Sequence, residues 1–434
     1  MINTKELSSK INNGDYDLIL TKLYVDKSSI SNERTRYINA INAYEKAFGT
    51  LLSGDSVYDV AVFSAPGRSE VGGNHTDHQH GQVIAASINC DAIAVTGYTN
   101  NNRITVISEG YEPITMSADD LSFRKEEGGT TKALIRGMLY KIHELGYKVE
   151  GFNAYITSNV PGGLGLSSSA AFETLIGVIV SGLFNDMSIS AVDIAKIGQY
   201  AENEFFLKPC GLMDQMACSV GSLCFMDFED PTNPVIEKID FDLEKEGYNL
   251  CITDTKGSHA DLTDDYAAVP REMKDAAKCF GKDVLREVSE EDFIKDINTV
   301  RKTCGDRAAL RGLHFFEESK RAKAEADALK DGDFKAFLKT FKASGDSSFK
   351  FLQNVYTDHD SRHQNVSVAL AVSEIVLGDE GLSRVHGGGF AGTIQAFVKE
   401  AKTEEYINAM DNLFGEGSCK KFQIRSVGGT KVMD

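Results

Sequence analysis

One stretch constrains the fold more than any other. Gly151 to Thr157 alternates apolar and polar residues, as a half-buried strand does. Asn159 to Ser169 then reads Asn-Val-Pro-Gly-Gly-Leu-Gly-Leu-Ser-Ser-Ser, and Ala170 to Phe184 is apolar apart from Glu173, Thr174 and Ser181. Such a run suits a helix buried in a core. It falls short of the roughly 20 apolar residues that span a bilayer. Strand and helix must therefore be joined through Gly162, Gly163 and Gly165 and the hydroxyls of Ser167, Ser168 and Ser169. Glycines let a backbone approach a ligand closely with its N–H groups turned inward. The helix start adds unpaired donors and partial positive charge, and serine hydroxyls can cap it, donate to phosphate oxygens or ligate Mg²⁺. The construction suits a polyphosphate. A plain glycine-rich turn with a serine cap would account for Gly-Leu-Gly-Leu alone, but the three serines followed by Ala170 and Ala171 are more specific. The loop is not of the Walker type, because no Gly-Lys-Ser or Gly-Lys-Thr occurs in the chain.

At 434 residues two domains are expected. A net charge of −18 argues against nonspecific binding of nucleic acid or an anionic membrane. An anionic nucleotide would need local positive charge and Mg²⁺. The eight cysteines form no Cys-x-x-Cys pair, and Met1 to Tyr16 has no apolar signal core. A cytoplasmic enzyme with reduced thiols is the expectation. Nothing in the sequence fixes the oligomeric state; a monomer is compatible with it.

Met1 to Leu52 reads as a polar helical lead-in without visible chemistry, and Asp59 to Ala65 as a strand. Arg68 to Gly81 reads as a polar loop, Arg-Ser-Glu-Val-Gly-Gly-Asn-His-Thr-Asp-His-Gln-His-Gly. A metal site from His75, Asp77, His78 and His80 is one reading, although His-x-x-His-x-His has neither the spacing of a zinc helix nor that of a finger. A loop that hydrogen-bonds a small polyol suits the Asn, Asp and His side chains better. Asp193 to Phe206 reads as a helix carrying Glu202, followed by Pro-Cys-Gly-Leu-Met-Asp-Gln-Met at 209–216. Taken alone, Asp214 is an acid at a helix start, favoured by the dipole. Leu382 to Val398 contains His-Gly-Gly-Gly-Phe-Ala-Gly-Thr. Gly387, Gly389 and Gly392 spell a dinucleotide fingerprint, but Thr393 to Val398 continues as a strand where that motif needs a helix.

These stretches, in this order, resemble the GHMP small-molecule kinases, and Gly67, Arg68, Gly73, His75, Thr76 and Asp77 match the signature of the galactokinase branch. The resemblance covers nearly all of the chain after the lead-in. It implies an α+β protein whose active site lies between two domains, the first like ribosomal protein S5 domain 2 and the second ferredoxin-like. The expected division is a lead-in over 1–55, the first domain over 56–225 with its phosphate loop at 161–169, the second over 226–410, and a return to the first over 411–434. It implies phosphoryl transfer from ATP, with Mg²⁺, to the anomeric hydroxyl of galactose. Asp214 and Arg68 are the implied catalytic residues. Asn74, His75, Thr76, Asp77, Gly211 and Tyr266 are implied on the sugar, and Gly163, Leu164, Gly165, Leu166, Ser167, Ser168 and Ser169 on the nucleotide. Ser169 and Glu202 are the implied Mg²⁺ ligands. A carboxylate is the natural acceptor for a sugar hydroxyl's proton, and Arg68 can stabilise the transferring phosphoryl group while keeping Asp214 ionised.

Departures from the signature are Glu70 for Asn, Asn74 for Glu and His78 for Tyr. The family glutamate at position 74 accepts a hydrogen bond from the far hydroxyl of galactose. Unless Glu70 or His78 fills that gap, galacturonate or arabinose is the alternative substrate. A sugar and ATP sensor without turnover and a metal-dependent hydrolase built on the histidine loop are the readings from other classes.

Overall fold

The computed structural model describes residues 1–49, 59–99, 101–162, 164–257, 262–390 and 392–434. The lead-in contributes β1 (Ile2–Asn3) and helices α1 (Thr4–Asn13), α2 (Asp17–Tyr24) and α3 (Ile30–Phe48). Then follow β2 (Asp59–Gly72), β3 (Gln82–Tyr98), β4 (Arg103–Ser108), β5 (Ile114–Ser117), α4 (Thr131–Glu144) and β6 (Phe152–Ser158). Next come α5 (Ser168–Phe184), α6 (Ala191–Tyr200), α7 (Met213–Val220), β7 (Leu223–Asp227) and β8 (Val235–Ile239). These strands form one sheet in the order β1-β2-β3-β6-β4-β5, with β7 also on β3 and β8 on β7.

The remainder begins with β9 (Tyr248–Asp254), α8 (Thr263–Lys278), α9 (Glu290–Lys295), α10 (Ile297–Cys304), α11 (Asp306–Lys330) and α12 (Phe334–Ser347). It continues through α13 (Asn365–Leu377), β10 (Gly381–His386), β11 (Thr393–Lys399), α14 (Thr403–Phe414), β12 (Cys419–Phe422) and β13 (Thr430–Met433). The second sheet is antiparallel in the order β10-β11-β9-β12, the ferredoxin-like arrangement in which the first and third of four strands lie at the centre. Strand β13 returns to the first sheet, on β2, and Ile424 bridges to Ile88 of β3.

Three differences from the sequence reading have physical causes. The strand expected to end at Ala65 runs on to Gly72, so Arg68 to Gly72 is not loop. Pro66 has no N–H to give the ladder, and the pairing with β3 shifts register just there, between Pro66 and Arg68, and again between Glu70 and Gly72. The first sheet also extends past the expected change at 225, because β8 pairs with β7 up to Ile239. Val-Ile-Glu-Lys-Ile is a half-exposed edge strand without a clean apolar face. Likewise β12, within the expected return segment, still belongs to the second sheet.

Strand β2 is buried from Val60 to Gly72, since both of its faces are covered. On one side Phe63 and Ala65 pack with Ile135, Ile176 and Ile179 of α4 and α5. On the other, Val60, Val62, Ile93 and Val95 pack with Leu7, Leu20, Tyr37 and Phe48 of the lead-in. Each fully buried side chain of this size contributes about 1.5–3 kcal/mol. A further apolar cluster crosses between the sheets, joining Leu164, Leu166 and Ala170 to Leu250, Ile252, Phe341 and Phe397. The loop before α5 therefore rests on the second sheet. No helix among the described residues is long and apolar enough to cross a membrane.

Candidate active site

The bulged end of β2 delivers Arg68 beneath the 161–169 loop. Its backbone N–H donates to Leu166 O at 3.1 Å, and its Nη1 donates to Gly165 O. A Cβ on Gly67 would lie 2.9 Å from Leu166 O, so the close approach of strand and loop requires glycine there. Arg68 is only 7% exposed. It holds Asp214, in the first turn of α7, with a fork of two bonds, Nε to Oδ1 at 2.7 Å and Nη2 to Oδ2 at 2.6 Å. Ser167, in the left-handed region with φ 55°, donates its hydroxyl to Asp214 Oδ2. Partial burial acts to raise the Asp214 carboxyl, but the Arg68 charge and the bonds from Arg68 and Ser167 outweigh it and hold it below the usual carboxylate range.

Along the loop, Leu164 and Leu166 bury their side chains and can offer a ligand only backbone, whereas Gly165, Ser168 and Ser169 are exposed at the start of α5. Gly163 lies outside the described residues. Asp214 and Ser169 line a cavity of about 140 Å³ together with Asp77, Gly211, Glu202, Lys208 and Gln215. Glu202 sits in a π-helical turn, Ala201–Phe206, that ends the helix expected to be regular to Phe206. Its carboxylate meets Lys208 Nζ at 3.3 Å and accepts from Gln215 Nε2 at 2.9 Å. The same amide donates to Glu173 Oε2 at 3.1 Å. Burial, then the Glu202 charge, push the Glu173 carboxyl up to about 8. Glu173, Lys208 and Gln215 were not singled out from the sequence; Lys208, a base beside the motif of an acidic chain, was the available signal.

The 74–77 loop divides. Asp77 faces the cavity, with Gly211 so near that a Cβ there would sit 2.6 Å from Asp77 Oδ2. Burial raises its carboxyl. Asn74 does not face the cavity: it is fully buried, and both ends of its amide are engaged inside the protein. Its Nδ2 donates to Glu70 Oε1 and to Gly387 O, each at 2.8 Å. Its Oδ1 accepts from Asn354 Nδ2 at 2.9 Å and Ser348 Oγ at 3.2 Å. Thr76 is also buried, donating to Gly73 O and Gln82 O, which closes the turn. His75 Nε2 lies 3.2 Å from Gly388 O, and burial pushes its imidazole down to about 4, so it is neutral. Tyr266, on α8, donates to Gly389 O at 3.0 Å and packs edge-on against Phe390. Both residues thus bear on the Gly-Gly-Gly loop. Among the described residues, the His75–His80 loop forms no group close enough to share an ion; the cluster that does is Asp265, Asp358 and His359.

That third loop ties the parts together. Glu70 N–H donates to His386 Nε2 at 3.3 Å, which leaves Nδ1–H to donate to Thr393 Oγ1 at 3.0 Å, and Thr393 to donate to Leu164 O at 3.4 Å. Burial pushes His386 down to about 3, so the ring is neutral and one tautomer satisfies the chain. Strand β2, the Gly-Gly-Gly loop and the 161–169 loop are linked by side-chain bonds that no single motif reveals.

Comparison with known proteins agrees across the chain. Residues 133–222 match the model of the GHMP kinases N terminal domain, and residues 42–98 that of the galactokinase galactose-binding signature. A galactokinase of Streptomyces coelicolor is 27% identical over 366 residues, covering 83% of this chain and 90% of that protein. A galactokinase of Lactobacillus helveticus is 28% identical over 380 residues, covering 85% and 94%. The structure of Lactococcus lactis galactokinase complexed with galactose superposes with a TM-score of 0.75 at 22% identity, covering 90% of this chain and 99% of that one. A mevalonate kinase structure gives 0.59 at 16% identity, covering 84% and 98%. Both structural likenesses are ones of fold.

Proposed function

We infer, from the chain's membership of the GHMP kinases on their galactokinase side, that it transfers the γ-phosphoryl group of ATP to the anomeric hydroxyl of galactose. One observation carries the reading furthest. The Arg68–Asp214 pair bridges the phosphate loop and a cavity that also holds Asp77 and Gly211 of the sugar-binding motifs. The exposed backbone of Gly165 and the first-turn N–H groups of α5 bind the phosphates. Arg68 neutralises charge on the transferring group from below. Asp77 and Gly211 place the sugar hydroxyls, and Asp214 orients the anomeric one and receives its proton late, when bonding to phosphorus is under way. Lys208, which lines the same cavity, adds a second positive charge beside Arg68.

The donor set fits Mg²⁺. The exposed hydroxyl of Ser169 and the carboxylate of Glu202 line the same cavity, and hard oxygen donors suit this ion. Glu202 is held ready by Gln215, and its present counter-charge, Lys208, is mobile enough at 63% exposure to yield to a cation. The ion would supply charge neutralisation between phosphate oxygens.

A coupled assay of ADP release over galactose, galacturonate and L-arabinose tests the proposal. Galactose is expected to lead both others in kcat/KM by about tenfold or more, roughly 1.4 kcal/mol. The carboxyl missing at position 74 stands at Glu70, bonded to Asn74 and paired with Arg384. Turnover of none of the three would leave a sensor, and a lead for either rival would make this a kinase of another sugar.

A further inference from the structure

The helical lead-in looks like a cover, but its polar contacts converge on one residue. Asp91, in β3, is completely buried. Its Oδ1 accepts from Arg36 Nη1 of α3 at 2.7 Å. Its Oδ2 accepts from Tyr24 OH at 2.8 Å and Arg425 Nη1 at 3.0 Å, with Ser64 Oγ on the same oxygen. Glu33, 3.2 Å from Arg36, and Tyr37, 2.9 Å from the Tyr24 hydroxyl, complete the polar groups around it.

The backbone of Asp91 is what the phosphate loop hangs from. Asp91 N–H donates to Asn159 Oδ1 at 2.7 Å, and Asn159 N–H donates to Asp91 O at 3.0 Å. Arg36 Nη2 donates to that same carbonyl at 2.9 Å. Asn159 is two residues before Pro161, where the loop begins. Across the ladder Asp91 faces Pro66, at the bulge that delivers Gly67 and Arg68. One guanidinium of the lead-in therefore grips both the side chain and the carbonyl of the residue that fixes the loop's entry and lies opposite the approach to Arg68.

We propose that the lead-in positions the nucleotide loop, with Arg36 and Tyr24 acting as positioning residues through Asp91 and Asn159. This rests on the kinase reading above. A fastener that merely held the lead-in down would bond to surface groups or to the Asp91 carboxylate alone. Sharing the Asp91 carbonyl with Asn159 couples α3 to the first residue of the loop region. Losing Arg36 leaves Asp91 with Arg425 but takes the counter-charge from Glu33, so Arg36→Lys, which keeps that charge, separates geometry from neutrality.

Kinetics and calorimetry on the full chain decide it, with Arg36→Ala, Arg36→Lys, Asn159→Ala and, as a control, Leu20→Ala. Leu20 is buried in the lead-in core and has no polar side-chain atom to bond with these groups. In Arg36→Ala and Asn159→Ala the KM for ATP and the Kd for MgADP should rise about fivefold or more, while the KM for galactose stays within about twofold. Arg36→Lys, which keeps the charge but not the two-point grip, should fall between. Leu20→Ala should lower Tm and leave the ATP constants within about twofold. Folded Arg36→Ala and Asn159→Ala proteins with unchanged ATP and ADP constants would overturn the proposal, as would a Leu20→Ala shift equal to theirs. If Arg36→Ala does not fold, Asn159→Ala, whose side chain is on the surface, carries the test. If wild type turns over no sugar, the functional reading falls, and the MgADP affinities still decide this one.

Discussion

Asp214 has more partners than a strong base would tolerate. Two bonds from Arg68 and one from Ser167 occupy its oxygens and hold its carboxyl low, so it is ionised throughout the working range but weakly basic. Such a group suits a reaction in which a hydroxyl proton leaves late, and on the proposed function its larger contribution would be to aim that hydroxyl and keep Arg68 in place. Asp214→Asn removes the charge, misdirects the fork and should lower kcat by about 100-fold or more. MgADP and sugar affinities measured by calorimetry should stay near wild type. Retention of more than about a tenth of wild-type kcat would take Asp214 out of the mechanism. Motif order was enough to name Asp77, Ser169, Glu202, Gly211 and Asp214, which line one cavity, but their surroundings were not legible. Asn74 has partners at 348, 354 and 387, and its backbone meets Glu318 and His314, positions 240 or more further along the chain. Spacing within a motif carries no trace of such contacts.

At the scale of elements, the strand–loop–helix unit was readable because each part has its own composition: alternation, then glycine and serine, then a buried apolar run. The long β2 was not, because Pro66 and the glycines look like loop, and only a bulge accommodates them in a sheet. The half-exposed β8 lacked any periodicity to read. Within the phosphate loop, Gly165 has φ +66°, and a Cβ would stand 3.4 Å from His386 Nδ1. Alanine there would be strained by about 1 kcal/mol from the left-handed backbone alone and would crowd the His386–Thr393–Leu164 chain of bonds. Gly165→Ala should therefore lower stability by about that amount in urea unfolding and raise the KM for ATP more than that for sugar. An equal rise in both constants would place the strain outside the nucleotide loop.

Across the whole molecule, the two sheets are joined by an apolar cluster and by buried polar bonds, among them a latch at Arg384. Arg384 of β10 donates to Glu70 Oε1 at 2.7 Å, to Val71 O at 3.0 Å and to Ser344 Oγ at 2.7 Å. Burial first raises the Glu70 carboxyl, to about 7, against the opposing pull of Arg384 and Asn74. Because this pKa lies above that of an unfolded glutamate, the group's contribution to stability is greatest in acid and is lost as pH rises toward 7 and beyond. Removing Arg384 removes the strongest influence holding Glu70 ionised. Arg384→Met should cost about 3 kcal/mol, since a buried carboxylate is left without its partner. The deficit should be larger at pH 8 than at pH 6, where protonation relieves the orphaned group in either protein. Adding Glu70→Gln to Arg384→Met should recover at least about 1 kcal/mol, because the uncompensated charge is gone. Urea unfolding of the four members of this cycle at the two pH values measures both effects. A deficit independent of pH, or strictly additive single effects, would mean that Arg384 serves the β2 carbonyl and Ser344 rather than Glu70. The sheets would then be held in register by the Arg384 bond to Val71 O, the Gln395 and His386 bonds to Glu70 and apolar packing, without an ion pair at Glu70.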